Sequence, residues 1–239
     1  MARRRFFVDA IHGGMADVRG EDARHLTRVL RAESGQRYEI SDSQSAYLAE
    51  IVEARSDRVV FRIIEPIETP AVPVRMTLCA VLIKFDRFEW IIEKATELGV
   101  DRILPVETAR CEKGLLEASR KRTERWTRIA RESSQQSRRL RAPEILPAAR
   151  FDRCLTTEAD YRFFLEETTA PALLRMLPDR RSDADRIALL TGPEGGWTDA
   201  ERHAAAAAGW QPASLGPQVL RAETAATAGI AILMNAWLV

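Results

Sequence analysis

The chain has little cysteine, few aromatic residues and almost no net charge, and each shortage removes a class of function. Its three cysteines, Cys79, Cys111 and Cys154, stand far apart with no C-x-x-C pair and an odd count, which argues against a disulfide framework and a structural zinc site. A reducing cytoplasm fits that pattern. His12, His25 and His203 are scattered, so packing or surface roles are expected of them and not metal ligation. Lysine and arginine number 36 against 35 aspartates and glutamates, so any basic surface must come from segregation along the chain. The longest apolar stretch, Ala225 to Val239, is too short to span a bilayer, is rich in alanine and reads as a buried core helix. Met1 to Asp9 has basic residues with no sustained apolar segment after them, unlike a secretory signal. Neither a P-loop nor a G-x-G-x-x-G fingerprint occurs, so neither an ATPase nor a dehydrogenase is indicated.

What is present is enough for a real core: 239 residues at 46% hydrophobic make one large domain or two modest ones. Prolines 66, 70 and 73 interrupt regular structure and predict an extended connector, which divides the chain into 1–70 and 71–239. Before it, strands are predicted over Arg5 to Val8, Arg37 to Ser41, Ala46 to Ala54 and Arg58 to Ile67. One helix, Glu21 to Arg31, turns Leu26, Val29 and Leu30 inward. That is a small, mostly β domain. After the connector, strands at Arg75 to Ile83, Arg102 to Val106, Glu144 to Leu146, Arg162 to Leu165 and Ile187 to Leu190 mingle with helices at Phe88 to Leu98 and Leu116 to Arg138. Such alternation predicts an α/β domain with a mainly parallel sheet and helices on both faces.

Two glycine-bearing turns near the C-terminus carry the chemistry. Thr191-Gly192-Pro193-Glu194-Gly195-Gly196-Trp197 follows the apolar strand and precedes Thr198-Asp199-Ala200-Glu201, a capping-box start for the next helix. Leu215-Gly216-Pro217 repeats the arrangement after a short strand around Ala213 to Leu215 and before a helix from Glu223 to Leu238. Glycine lets a ligand lie against backbone and proline fixes the turn beforehand, so two such loops can share one ligand. Lys84, a cation just after a buried strand, sits at the carboxyl edge of the sheet, where open α/β folds bind ligands. Gly99 ends the helix that follows it.

Charge is segregated between Arg120 and Arg141, where nine basic residues face two acidic ones, Glu124 and Glu132. Lys121, Arg125 and Arg128 share one helical face, while Trp126, Ile129, Ala130 and Ser133 share another. A polyanion partner is the better reading than a merely solvated face, and Arg3, Arg4, Arg5, Arg24, Arg28 and Arg31 extend it into the first domain. Arginines of this kind position RNA through phosphates and do not read its bases.

His25-Leu26 with Val29-Leu30-Arg31, Lys84 with Glu93-Lys94-Ala95-Thr96-Glu97-Leu98-Gly99-Val100, Gln136-Ser137 with Arg139, Gly192 to Gly196, and Leu215-Gly216 with Leu220-Arg221-Ala222-Glu223-Thr224-Ala225 together resemble the RsmE family. These are bacterial small-subunit ribosomal RNA (uracil-N3)-methyltransferases of the knotted SPOUT superfamily. The resemblance spans nearly the whole chain, and its last two segments are the most specific. It implies a PUA-type RNA-binding barrel over 1–70 and a methyltransferase domain over 71–239 whose C-terminal loops are threaded into a trefoil knot. It further implies S-adenosylmethionine held by Leu165, Glu166, Gly192, Pro193, Gly195, Gly196, Leu215, Gly216, Leu220, Ala222 and Thr224.

By the same resemblance Glu194 and Glu223 are candidate bases for the uracil N3 proton, and Arg221 stabilises negative charge or anchors a phosphate. Arg4, Arg28, Arg31, Lys84, Arg125, Arg128 and Arg139 are the RNA-binding candidates. The implied partners are 16S ribosomal RNA in the assembled 30S subunit and a second copy of the chain, which would cover the final helix around Ile230, Met234 and Trp237. No membrane and no metal are implied. Another RNA target, such as transfer RNA, and a noncatalytic ribosome-binding role are the alternatives. Three departures stand out: Gln135 where the family has Glu, Cys111 where it often has Ser, and no glycines near Ser43 and Ser45.

Overall fold

The computed structural model describes residues 4–70 and 72–238. Arg3 and Val239, both part of the expectations above, lie outside the described residues. The chain forms two compact units, Met1–Ala71 with Arg131–Ala142, and Val72–Ala130 with Pro143–Val239.

In the first unit β1 (Arg5–Phe7), β2 (Ile11–His12), β3 (Met15–Arg19), β4 (Arg37–Ser41), β5 (Ala46–Ala54) and β6 (Arg58–Ile67) make one sheet in the order β1-β4-β5-β6-β3-β2. Strands β2 and β3 were not anticipated. They are joined at Gly13-Gly14, both at positive φ, the conformation that a tight two-residue hairpin demands. The β4–β5 hairpin is built without glycine. Asp42 Oδ1 accepts hydrogen bonds from the amides of Gln44 and Ser45 at 3.0 and 2.8 Å, and Ser43 takes the left-handed conformation.

The helix predicted over Glu21 to Arg31 is a short α1 (Gly20–Arg24) continued by a π turn (His25–Val29). The wider turn rotates the face that follows it. Leu26 is buried beside Phe6, Ile40, Ile51 and Phe61, whereas Val29 is 65% exposed and Leu30 faces solvent, so the expectation that these two point inward is corrected.

A division at 70/71 leaves residues 131–142 with the second unit, yet they pack with the first because their polar groups find partners there. Arg131 pairs with Asp22 at 2.7 Å, Arg138 pairs with Glu39 at 3.4 Å, and Ser41 donates to the Leu140 carbonyl at 2.8 Å. Arg5 is buried, pairs with Glu39 at 3.0 Å and donates to the Arg138 carbonyl at 2.6 Å, which withdraws it from any RNA-facing surface. Gln135 is buried and donates to Asp22 Oδ1 at 3.1 Å, so a glutamate there would set one carboxylate against another.

In the second unit β7 (Arg75–Val81), β8 (Arg102–Glu107), β9 (Glu144–Ile145), β10 (Ala149–Arg150), β11 (Tyr161–Leu165), β12 (Arg186–Leu190) and β13 (Gln211–Ala213) form a sheet in the order β10-β8-β7-β12-β11-β13, with β9 also beside β8. Every pairing is parallel. Side chains alternate between two cores: Met76, Leu78, Ile187 and Leu189 enter one, and Cys79, Val81, Ala188 and Leu190 the other. Burial on both faces is why these strands read as continuous apolar runs.

Helices α2 (Phe85–Glu97), α3 (Leu115–Ser119), α4 (Thr123–Gln136), α5 (Phe151–Cys154), α6 (Asp199–Ala207) and α7 (Ala222–Ala236) complete the chain. The single helix expected from Leu116 to Arg138 is broken between α3 and α4. There the amides of Lys121 and Arg122 bond three residues back, to Ala118 and Ser119, so Lys121 does not share a helix with Arg125 and Arg128. Ile230, Met234 and Trp237 are buried within this chain, and the Trp237 indole donates to Asp185 at 2.8 Å. Their apolar face therefore needs no partner subunit, contrary to expectation.

Replacing fully buried Leu26 by Ala should cost about 2–5 kcal/mol, whereas Val29→Ala should stay within about 0.5 kcal/mol. Urea unfolding of the two variants checks this, and equal losses would restore the uninterrupted helix.

Candidate functional site

Because the sheet is parallel, β11, β12 and β13, adjacent in the order β12-β11-β13, send their carboxyl ends to one edge. The segments that follow them enclose a cavity of about 310 Å3. Leu165, Glu166 and Glu167 enter from the end of β11, Gly192, Pro193 and Glu194 from the turn after β12, and Leu215, Gly216, Gln218, Val219, Leu220, Arg221, Ala222 and Ala225 from the loop and first turn leading into α7. This is the size and the sheet position of a small-molecule site.

Local sequence explains the turn after β12. Trp197 is buried and its indole donates to the Leu165 carbonyl at 2.8 Å, tying the turn to the end of β11. A Cβ at Gly192 would lie 3.2 Å from that indole nitrogen, so a side chain would press on the tie. The Gly196 amide closes the turn on the Pro193 carbonyl at 2.9 Å with φ +69°, and a Cβ there would fall 1.9 Å from Glu167 Oε1. The anticipated capping box is present: Thr198 accepts from the Glu201 amide and Glu201 from the Thr198 amide.

The lining is apolar apart from Glu166, Glu167, Glu194, Arg221 and Gln218. Glu166 is buried; Arg202 donates to it at 2.7 and 3.2 Å, and the amides of Glu167 and Thr168 at 3.0 and 3.3 Å. Burial alone would raise the Glu166 carboxyl, but Arg202 and the two amides outweigh it and hold the group below the ordinary carboxylate range. Glu194 is paired with Arg87. Among the described residues the Glu167 side chain has no hydrogen bond or ion pair, so it is the carboxylate left for a ligand. Apolar walls, an unpaired carboxylate and one arginine suit a ligand with cationic centres, one anionic group and a largely apolar body. S-adenosylmethionine, the cofactor that the family resemblance implies, carries two cationic centres and one carboxylate.

The cavity brings together ten of the anticipated residues: Leu165, Glu166, Gly192, Pro193, Glu194, Leu215, Gly216, Leu220, Arg221 and Ala222. Gly195, Gly196, Glu223 and Thr224 do not line it. Gly195 backs onto Arg110, whose guanidinium donates to the Gly195 carbonyl at 2.6 Å. Gly196 shapes the turn, and Thr224 faces solvent. Glu223 Oε2 is buried with no hydrogen-bond partner. Glu167, Gln218, Val219 and Ala225 line it as well, the first three inside the segments 165–167 and 215–222 that the resemblance gives to the cofactor.

Of the RNA-binding candidates in the first unit, Arg28 and Arg31 are exposed, Arg4 lies 2.9 Å from the His25 ring and Arg139 is half-buried. In the second unit Lys84 and Arg128 are exposed, while Arg125 makes a two-pronged pair with Glu89 at 2.6 and 2.7 Å. No group of three or more His, Cys, Asp or Glu able to hold a metal occurs among the described residues, and no helix is long and apolar enough to cross a membrane.

Residues 70–234 match the family model of an RNA methyltransferase domain, and residues 18–64 that of an RNA methyltransferase PUA domain. The chain is 31% identical to ribosomal RNA small subunit methyltransferase E of Bacillus subtilis, covering 87% of this chain and 85% of that protein. It is 30% identical to the protein of that name from Mycobacterium bovis, over 97% of this chain and 92% of the relative. Among solved structures, the ribosomal RNA small subunit methyltransferase E of Neisseria gonorrhoeae bound to S-adenosyl methionine superimposes with a TM-score of 0.88 at 29% identity, covering 99% of this chain and 98% of that one.

Since Glu166 titrates below its usual range in the folded chain, it adds stability above the unfolded carboxylate value that is lost as pH falls through the lowered folded value. Chemical denaturation across that acid window should show Glu166→Gln with a shallower loss than the parent; an unchanged slope would remove the Arg202 pairing as its cause.

Proposed function

This chain belongs to the ribosomal RNA small subunit methyltransferase E family, whose reaction is S-adenosylmethionine-dependent methylation of ribosomal RNA, and we propose that it methylates N3 of a specific uridine in 16S ribosomal RNA of the assembled 30S subunit. One observation carries the reading: the cavity at the ends of β11, β12 and β13, with its apolar walls, open carboxylate and single arginine. When bound, the cofactor supplies an electrophilic methyl group on a sulfonium sulfur. Leu165, Gly192, Pro193, Leu215, Gly216, Leu220 and Ala222 would hold it by shape and backbone, and Glu167 would meet a cationic centre.

Positioning of donor and acceptor can supply up to about 7–11 kcal/mol of the barrier. Uracil N3 must also lose its proton. Of the two candidate bases, Glu194 lines the cavity and Glu223 does not, so Glu194 is the better placed once its pairing with Arg87 opens, and Arg221, which lines the same cavity, would neutralise developing charge or hold a phosphate. In this reading the PUA unit and the exposed Arg28, Arg31 and Arg128 bear on RNA phosphates in the cytoplasm. We also infer a homodimer and the threaded trefoil knot, on the family resemblance. Val219, 79% exposed on the cavity loop, is an apolar surface a second copy would cover.

Incubating the protein with methyl-labelled S-adenosylmethionine and either 30S subunits or transfer RNA, then digesting to nucleosides, should give N3-methyluridine from the subunits alone. Label in transfer RNA would favour the other target, and no calorimetric binding of the cofactor would favour a noncatalytic ribosome binder. Glu194→Gln should lower turnover roughly 10²-fold with cofactor affinity retained, whereas undiminished turnover would end its role as base.

A further inference from the structure

Beside the cofactor cavity lies a smaller cleft of about 40 Å3. It is framed by Lys84 after β7, by Arg110, Cys111 and Glu112 after β8, and by Pro193 and Glu194, the two residues it shares with the cofactor cavity. Its floor is leucine and isoleucine. The volume admits roughly three water-sized groups, which is the edge of a ring and not a whole nucleotide.

The charges in the cleft are unevenly engaged. Arg110 is held on the Gly195 carbonyl, Glu194 on Arg87, and burial pushes the Cys111 thiol up, so it stays neutral. Lys84 is exposed, and its ammonium makes no hydrogen bond or ion pair among the described residues. Glu112 is likewise exposed without a side-chain partner. A phosphate here would face the carboxylates of Glu112 and Glu194 and an apolar floor. A neutral ring edge that gains charge only as it reacts would not.

We propose that this cleft receives the imide edge of the target pyrimidine, and that Lys84 binds the carbonyl oxygen on which negative charge gathers as N3 ionises. This rests on the uridine-N3 reading above and makes Lys84 a catalytic residue and not a phosphate contact. The N3 proton passes to the Glu194 carboxylate and from there to water. The N3 electron pair then forms the bond to the methyl carbon while the carbon–sulfur bond breaks, and its electrons remain on sulfur, leaving neutral S-adenosylhomocysteine. The Lys84 ammonium favours the ionised imide, as preorganised donors favour an oxyanion.

The test compares the parent with Lys84→Met on 30S subunits reconstituted from RNA containing uridine or 5-fluorouridine, whose imide is the more acidic. With uridine the variant should lose roughly 10²-fold in kcat with cofactor binding retained. Its pH–rate profile should move to higher pH, and 5-fluorouridine should restore much of the loss. A readout independent of turnover is the fluorine NMR titration of the bound 5-fluorouridine in the presence of S-adenosylhomocysteine. Its midpoint should lie at lower pH in the parent than in the variant. A raised KM with an unmoved profile and equal midpoints would make Lys84 a phosphate contact and overturn the proposal. Failure of the parent itself to make N3-methyluridine would instead overturn the reading beneath it.

Discussion

Parallel pairing of β12, β11 and β13 is the constraint from which the site follows. Because neighbouring strands run the same way, each delivers its outgoing segment to the same edge, and three segments distant in sequence must meet there. One hydrogen bond, from the Trp197 indole to the Leu165 carbonyl, sets the distance between two of those segments. The glycines at 192 and 196 keep side chains away from that bond and from Glu167. The cavity is thus a product of strand direction first and of local turn chemistry second.

Much of this was legible locally. Strands β4, β5 and β6 carry residue-for-residue the bounds that alternation predicts, and the two glycine turns mark the edge of the sheet where the cavity lies. Other features have no local signal. The Trp197–Leu165 and Arg202–Glu166 contacts join residues 32 and 36 apart. Val29 and Leu30 were misread because a π turn adds a residue to the helical repeat, and no 3.6-residue pattern records that. Ala225 joins the cavity only because the first turn of α7 carries it there.

The family departures now have physical reasons. Gln135 complements Asp22 through its amide, which a glutamate at that position could not do. Cys111 keeps the donor a serine would offer, its thiol lying 3.2 Å from the Leu82 carbonyl. Asp42 does for the β4–β5 hairpin what a glycine would do elsewhere.

The first unit is discontinuous: Asp22 and Glu39 take their arginine partners in part from residues 131 and 138. The two arginines are 43% and 42% exposed, so each pair adds no more than about 1 kcal/mol. During synthesis, then, the N-terminal sheet emerges long before the cations that complete it. A chain that has emerged only as far as residue 70 thus holds Asp22 without Arg131 and Glu39 with Arg5 alone, and residues 131–142 add the remaining partners when they arrive.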